Sequence, residues 1–235
     1  MATLAIFGAG PGLGLATARR FGQEGFDVAL VARSRERLEG WVRELAAEGV
    51  RARALPADLT DRSAHAELVR AIGPVDVAVL NGYVERAAIR PVLDIDPDSM
   101  SAVIDGAVLA PLSLTRLLLP GMLERGEGGL LYGLGGSAHT PMPPMAALGS
   151  AQASLRNYVL NLHIELAGRG VYAGALTIAA LIENSDAQRL FDSDPAATLG
   201  LKAERVDPAD LAQRYWDLYS KRDRAEDTVG ALLAA

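Results

Sequence analysis

Gly8-Ala9-Gly10-Pro11-Gly12-Leu13-Gly14 has the composition of a loop able to wrap an anion. Glycine permits backbone angles that a side chain forbids, and it lets phosphate oxygens come close to main-chain amides. The spacing G-x-G-x-x-G fails, because counting from Gly8 and Gly10 puts Leu13 in the third place. G-x-x-x-G-x-G fits, on Gly8, Gly12 and Gly14. About twenty residues further on stand Arg33, Ser34 and Arg35. An acid at such a place hydrogen-bonds a ribose 2′-hydroxyl, whereas an arginine accommodates a 2′-phosphate. Neither Ala32 nor Arg33 is an acid, so Arg33 with Ser34 points to NADP(H) over NAD(H). Arg35 and Arg37 also read as solvated helix charges.

The elements that must position these residues follow from the apolar pattern. Thr3–Phe7 is an apolar strand, Leu13–Glu24 a helix and Asp27–Ala32 a second strand. Strand, glycine turn, helix and strand form a βαβ unit that sets a pyrophosphate on a helix N-terminus; the alternative is a glycine-rich turn with no ligand. Residues 35–48 predict a helix, with Leu38, Val42 and Leu45 on one face. Strands are predicted at 51–56, 75–80, 128–134 and 171–178, and helices at 61–72, 97–124 and 146–166. This alternation predicts one α/β domain, a doubly wound parallel sheet of the Rossmann-like kind spanning 1–235. Residues 183–205 are polar and irregular, the expected lid of a substrate cleft. Asp207 then caps a helix with Pro208 in its first turn, and 227–230 forms a short last strand.

Composition narrows the function classes. The net charge of -6 argues against a nucleic-acid binder, which needs a basic face. With no cysteine there is no disulfide framework or thiolate site, and no metal site is expected. The longest apolar run, Leu109–Leu123, is broken by Arg116 and Pro120, so no membrane span is expected. The chain enters its first strand at once, leaving no room for a signal peptide, and a cytoplasmic protein is the expectation.

With these flanks the glycine spacing resembles the nucleotide-binding turn of the short-chain dehydrogenase/reductase family. The resemblance covers essentially the whole chain, most strongly Thr3 to Asn81. It implies that Gly8, Gly10, Pro11, Gly12, Leu13 and Gly14 bind the coenzyme, with Arg33 and Ser34 at its 2′-phosphate. It further implies that Asp58, followed by Leu59, holds the adenine ring; the alternative for Asp58 is helix capping. The family's N-N-A-G motif falls on Leu80, Asn81, Gly82 and Tyr83, which puts Asn81 and Gly82 beside the coenzyme ribose. Ile182, past the sixth strand, is implied as a further coenzyme contact. The usual Pro-Gly there is replaced by Ile178-Ala179. The two long helices, 97–124 and 146–166, are implied to pair across a two-fold axis into a homodimer or homotetramer.

The same resemblance places four catalytic positions, and all four are substituted. Ser150-Ala151-Gln152-Ala153-Ser154-Leu155 matches the stretch that holds the family's lysine, so Gln152 stands at its place and Leu148 at the tyrosine's. The serine position falls on Gly135 and the asparagine position on Ala107. Leucine donates no proton, and glutamine has no charge to depress a phenol's pKa. Tyr158 is no substitute, since the residue four later is Leu162. The remaining candidate acids are His139, an imidazole where the substrate pocket begins, and Tyr83, at the coenzyme edge. The alternatives are a loop histidine and an aromatic plug. Ser137 and the Glu183-Asn184 pair lie near enough to be weighed, whereas His65 and His163 read as structural. Three functions follow: an NADP(H)-dependent oxidoreductase with an atypical site acting on a small organic molecule, a coenzyme-binding pseudoenzyme or sensor, and a non-redox cyclase or isomerase.

Overall fold

Short apolar runs become strands and the amphipathic segments between them become helices. The computed structural model describes residues 1–81, 90–198, 200 and 204–231. The first half alternates: β1 (Thr3–Phe7), α1 (Leu13–Gln23), β2 (Asp27–Ala32), α2 (Arg35–Ala47), β3 (Ala52–Pro56), α3 (His65–Ile72) and β4 (Val77–Asn81). Next come α4 (Pro97–Ile104), a π-helical turn (Asp105–Leu109), α5 (Ala110–Arg125), β5 (Gly128–Gly135), α6 (Ala146–Glu165) and β6 (Val171–Ile178). The last part holds β7 (Leu181–Ile182), α7 (Asp186–Ser193), β8 (Arg205–Val206), α8 (Pro208–Lys221) and β9 (Glu226–Val229).

Seven strands form one sheet in the order β3-β2-β1-β4-β5-β6-β9, and every neighbouring pair is parallel. This is the single-domain, doubly wound α/β fold that the alternation predicts. The strand order reverses at β1, where β2 lies on one side and β4 on the other. Such a switch point leaves a crevice at the carboxyl ends of the strands, where ligands of open α/β sheets bind. Phe7 lies level with Val31 on β2 and with Leu80 on β4, so Gly8, Ala32 and Asn81 share one rim.

Both faces of the sheet are covered, which is why its strands read as nearly continuous apolar runs. On one face Ala5, Phe7, Leu80 and Tyr132 pack with Leu68, Leu114, Leu155 and Val159 of α3, α5 and α6. On the other Leu4, Ile6, Leu30 and Leu131 pack with Phe21, Leu38, Leu211 and Tyr215 of α1, α2 and α8.

Two expectations need correction. Arg116 and Pro120 do not interrupt the apolar run as a span: the helical stretch from Pro97 continues through both to Arg125 and ends at Gly126 in the left-handed conformation. Its 29 residues, with mean hydropathy 1.6 in the most apolar window, are long and apolar enough to cross a membrane by length and composition. Leu114, Leu118 and Met122 spend that apolarity inside the sheet core. The segment after β6 is not irregular throughout, since α7 forms where Ser185 accepts a hydrogen bond from Gln188 N, and β7 pairs with β8. On the two long helices Ala110, Leu114, Ala151, Leu155 and Val159 are buried within the chain itself. Leu117 and Ile164 are the large apolar side chains these helices expose.

Candidate functional site

A groove of about 300 Å³ opens at the switch point, lined by Gly8, Gly10, Arg33, Ser34, Asp58, Leu59 and Asn81 from among the expected coenzyme residues. The glycines are there for distinct reasons. Gly8 has φ +83°, and a Cβ on it would lie 2.5 Å from the Asn81 carbonyl oxygen. Its N–H and that of Ala9 both donate to the Val31 carbonyl, at 3.0 and 2.9 Å, which turns the chain over the end of β2. A Cβ on Gly14 would come within 3.0 Å of Ala9 Cα, so this glycine lets α1 pack onto the turn. Gly10 meets no described heavy atom within 4 Å, leaving its face open. Gly12 begins α1 with no side-chain cap; Leu15 N donates to the Gly10 carbonyl at 3.0 Å, and of the first-turn amides those of Leu13 and Gly14 are the ones an anion would use. This cradle fits a pyrophosphate, and side chains at Gly8 or Gly14 would distort it by striking Asn81 and Ala9.

The basic end of the groove is built by α2. Ser34 caps that helix by accepting from Arg37 N at 3.3 Å. Arg37 is exposed, as a solvated helix charge should be, and it also stands in the groove wall beside Trp41, its guanidinium 5.1 Å from the indole centroid. Its Nη2 donates to both carboxylate oxygens of Asp186, at 2.9 and 2.8 Å. Asp58 takes a local role as well as its place on the wall. Its Oδ1 accepts from Thr60 N and Thr60 Oγ, bonds that hold its carboxyl below the usual aspartate range. Asp61 supplies the cap of the following turn, accepting from Ser63 N. Behind Leu59 the buried His65 donates from Nε2 to the Leu59 carbonyl at 3.1 Å and meets Ser113 Oγ at 3.0 Å through Nδ1. Burial pushes its pKa down, which suits a neutral prop of the wall.

Asn81 is held from behind. Tyr215 of α8, fully buried, donates its hydroxyl to Asn81 Oδ1 at 3.1 Å. Gly133 makes room for this pair, since a Cβ there would stand 2.5 Å from Asn81 Oδ1. Ile182 Cγ2 and the Glu183 carbonyl oxygen lie 3.2 and 3.0 Å from a Cβ built on Gly12, so the start of the post-β6 segment rests on the glycine turn. Asn184 has φ +60° and donates from its main-chain N to Gln188 Oε1. Gly82 and Tyr83 lie outside the described residues.

Gly135 and Gln152 do meet. Gln152, buried on α6, accepts from Gly135 N through Oε1 at 3.0 Å, and a Cβ on Gly135 would touch the same oxygen at 3.0 Å. Ala107 sits in the π-helical turn and packs with Val103, Ala147 and Ala151, and Leu148 lies against that cluster. Ser137 Oγ stands 3.8 Å from a Cβ built on Gly135, so a hydroxyl lies beside the Gln152 amide at the end of β5.

His139 goes elsewhere. It lines a second cavity of about 350 Å³ with Ser137, Met142, Met145 and Ser150. Helical geometry puts Ala146, Gly149, Ser150 and Ala153, which line this cavity, on the side of α6 away from Leu148 and Gln152. The imidazole Nε2 donates to Glu226 Oε1 at 2.8 Å. Glu226 also accepts from Arg156 at 2.6 to 3.0 Å and from Thr177 Oγ at 2.9 Å. Burial pushes the Glu226 carboxyl up, but these donors hold it below the usual glutamate range. His163 donates from Nδ1 to the Ala173 carbonyl, a structural role. Among the described residues no group of acids and histidines could hold a metal ion.

Sequence reasoning missed Trp41, Asp186, Tyr215 and Glu226. Trp41 lies one helical turn beyond Arg37, a spacing that could have flagged it. Asp186 and Tyr215 reach the site only through the tertiary fold, and Glu226 likewise reaches His139.

The short chain dehydrogenase family profile matches residues 2–189. A short chain dehydrogenase of Pseudocercospora fijiensis is 33% identical over 181 residues, covering 74% of this chain and 58% of its own, so this chain spans little more than half that relative's length. Among solved structures, one described as an NAD(P)-dependent gluconate 5-dehydrogenase of Beutenbergia cavernae, with NADP bound at low occupancy, superposes with TM-score 0.81. It is 24% identical, with 97% of this chain and 94% of its own covered. A short chain oxidoreductase of Pseudomonas aeruginosa PAO1, described as containing an atypical catalytic center, reaches TM-score 0.83 at 22% identity, with 97% and 95% covered. At these identities the two structures speak for the fold, and the family profile speaks for the lineage. With its glycine cradle at the switch point of a parallel sheet, the chain belongs to the short-chain dehydrogenase family of oxidoreductases.

Proposed function

We propose that this protein is an NADP(H)-dependent oxidoreductase that works without the family's tyrosine–lysine proton donor. What supports the reading is that Gln152 is bonded to Gly135 N and Leu148 is packed beside Ala107, the four residues that the family resemblance sets at the places of the lysine, serine, tyrosine and asparagine. In the groove, Gly8, Gly10, Pro11, Gly12, Leu13 and Gly14 would hold the pyrophosphate, and Arg33 with Ser34 the 2′-phosphate. Asp58 and Leu59 would take the adenine, Asn81 and Gly82 the ribose, and Ile182 the nicotinamide end. When bound, NADP(H) supplies hydride exchange with an electrophilic carbon. Residues 183–205 would close over a small organic substrate. Without a tyrosine–lysine pair at these places, the substrate would be one that needs little help from a proton, such as an iminium or a polarised enone. Tyr83 is the side chain proposed to supply any proton, since His139 is turned to Glu226.

Arg33→Ala tests the coenzyme assignment. A charge-assisted hydrogen bond is worth about 1.5–3 kcal/mol, or roughly 10- to 150-fold in affinity. Fluorescence titration should therefore show NADPH binding weakened by that factor and NADH binding unchanged. Equal NADPH and NADH affinities in wild type and variant alike would overturn it. The apolar packing of Leu148 also favours a second reading, a coenzyme-binding protein without turnover. Hydride transfer from NADPH to an iminium substrate rules that reading out.

A further inference from the structure

The segment after β6 reaches into the coenzyme groove with a carboxylate. Asp186, the first residue of α7, lines the groove together with Arg33, Ser34 and Arg37. Its two oxygens lie 2.9 and 2.8 Å from Arg37 Nη2. The approach is set by the chain before it, for Ser185 Cβ lies 3.4 Å from a Cβ built on Gly12. At its far end α7 is tied by a separate pair, Arg205 Nη2 to Asp192 Oδ1 at 2.6 Å. Asp186 has a second partner in reserve, Arg189, whose Nη1 lies 3.4 Å from Oδ1.

A 2′-phosphate entering beside Arg33 and Ser34 therefore meets an anion already present. Phosphate carries more charge than a carboxylate and three acceptor oxygens, so it is the stronger ligand for a guanidinium. Arg37 lies over Trp41 and is held at the wall by that contact. Asp186 can turn to Arg189, so losing Arg37 does not leave it unpaired.

We infer that Arg37 is shared: a bound 2′-phosphate takes it from Asp186, which makes Asp186 the residue that tempers the preference for NADP(H) over NAD(H). The inference rests on the coenzyme reading given above. Exchange of the pair has a cost, since an ion pair is broken and a carboxylate is left near the phosphate. It also couples the adenosine end of the groove to α7, because the clasp on the helix N-terminus opens as the phosphate arrives. NAD(H), with a hydroxyl in that place, leaves the clasp shut.

Calorimetric titration of the whole protein with NADPH and with NADH tests this. For exposed pairs worth about 0.2–1 kcal/mol the corresponding factor is up to about fivefold. Asp186→Asn should tighten NADPH by about three- to fivefold and leave NADH unchanged. Arg37→Ala should weaken NADPH by about tenfold or more, as loss of a charge-assisted contact requires. Asp192→Asn, which loosens the other end of α7, should match wild type for both coenzymes. Amide hydrogen exchange at the start of α7 should rise with NADPH and not with NADH. The inference is overturned if Asp186→Asn binds NADPH as wild type does, or if Asp192→Asn tightens it equally, which would mark loosening of the segment as the cause. Failure of folded wild-type protein to bind either coenzyme would instead remove the coenzyme reading, and the shared arginine with it.

Discussion

Installing Leu148→Tyr with Gln152→Lys would supply the acid and the lysine of ordinary family members, and the packing argues that it will not make a ketone reductase. Gln152 is 9% exposed, and its Oε1 is the acceptor for Gly135 N at 3.0 Å. Lysine has donors only, so the Gly135 N–H would face an ammonium instead of an acceptor. An unsatisfied buried N–H costs about 1–3 kcal/mol, and desolvating the ammonium adds to that. Taking about 3 kcal/mol together, and about 2–4 °C per kcal/mol for a domain of this size, Gln152→Lys should melt about 6–12 °C below wild type. Leu148→Tyr forces a phenol against the cluster of Val103, Ala107, Ala147 and Ala151, with an overpacking cost of about 1–3 kcal/mol. A well-placed acid is worth about 10²–10⁴-fold, but Gly135 offers no hydroxyl and Ala107 no amide to complete the site. The double variant should therefore gain less than about tenfold over a wild type that is itself a very poor reductase of simple ketones. Differential scanning calorimetry and NADPH oxidation with an unactivated ketone measure both quantities. A Gln152→Lys melting point within about 2 °C of wild type, or a hundredfold gain in turnover, would refute the reasoning. Rapid turnover of simple ketones by wild type would refute the placement of the four positions. Loss of that turnover in His139→Ala or Tyr83→Phe would then name the acid.

Glu226 has the burial and the partners to matter for stability. Arg156 and His139 are each about one-third exposed at the side chain, so Glu226→Gln should cost a discounted amount of about 1–2 kcal/mol, read as a melting point about 2–8 °C lower at pH 7. Because the folded-state pKa lies below the unfolded one, this contribution is present above the usual glutamate range and is lost as pH falls through the folded value. The gap between wild type and variant should close in acid, and a gap that persists unchanged there would contradict the sign. We also propose pairing of the two long helices across a two-fold axis, with Leu117 and Ile164 as the exposed apolar positions on α5 and α6. Light scattering should show an oligomer at micromolar concentration and a monomer for Leu117→Glu with Ile164→Glu; a monomeric wild type would contradict the pairing.

The amino-acid sequence alone determined the features that depend on near neighbours. The glycine turn, Arg33 after β2, the alternating elements, and the Asp207–Pro208 start of α8 each follow from residues within a turn or two of one another. The reading that Leu148 and Gln152 stand where an acid and its lysine belong rests on the family resemblance of that helix and is a proposal that the ketone assay above tests. What the sequence left open involves residues far apart along the chain. Arg37 and Asp186 are separated by 149 residues, Asn81 and Tyr215 by 134, and His139 and Glu226 by 87. Arg37 read as one more helix charge because its partner sits on the far side of the groove. His139 read as a candidate acid because a loop histidine carries no sign of which way the loop turns. The fold decided both by bringing α7 across the glycine turn and by laying β9 beside β6, so that two carboxylates stand where the local sequence shows none.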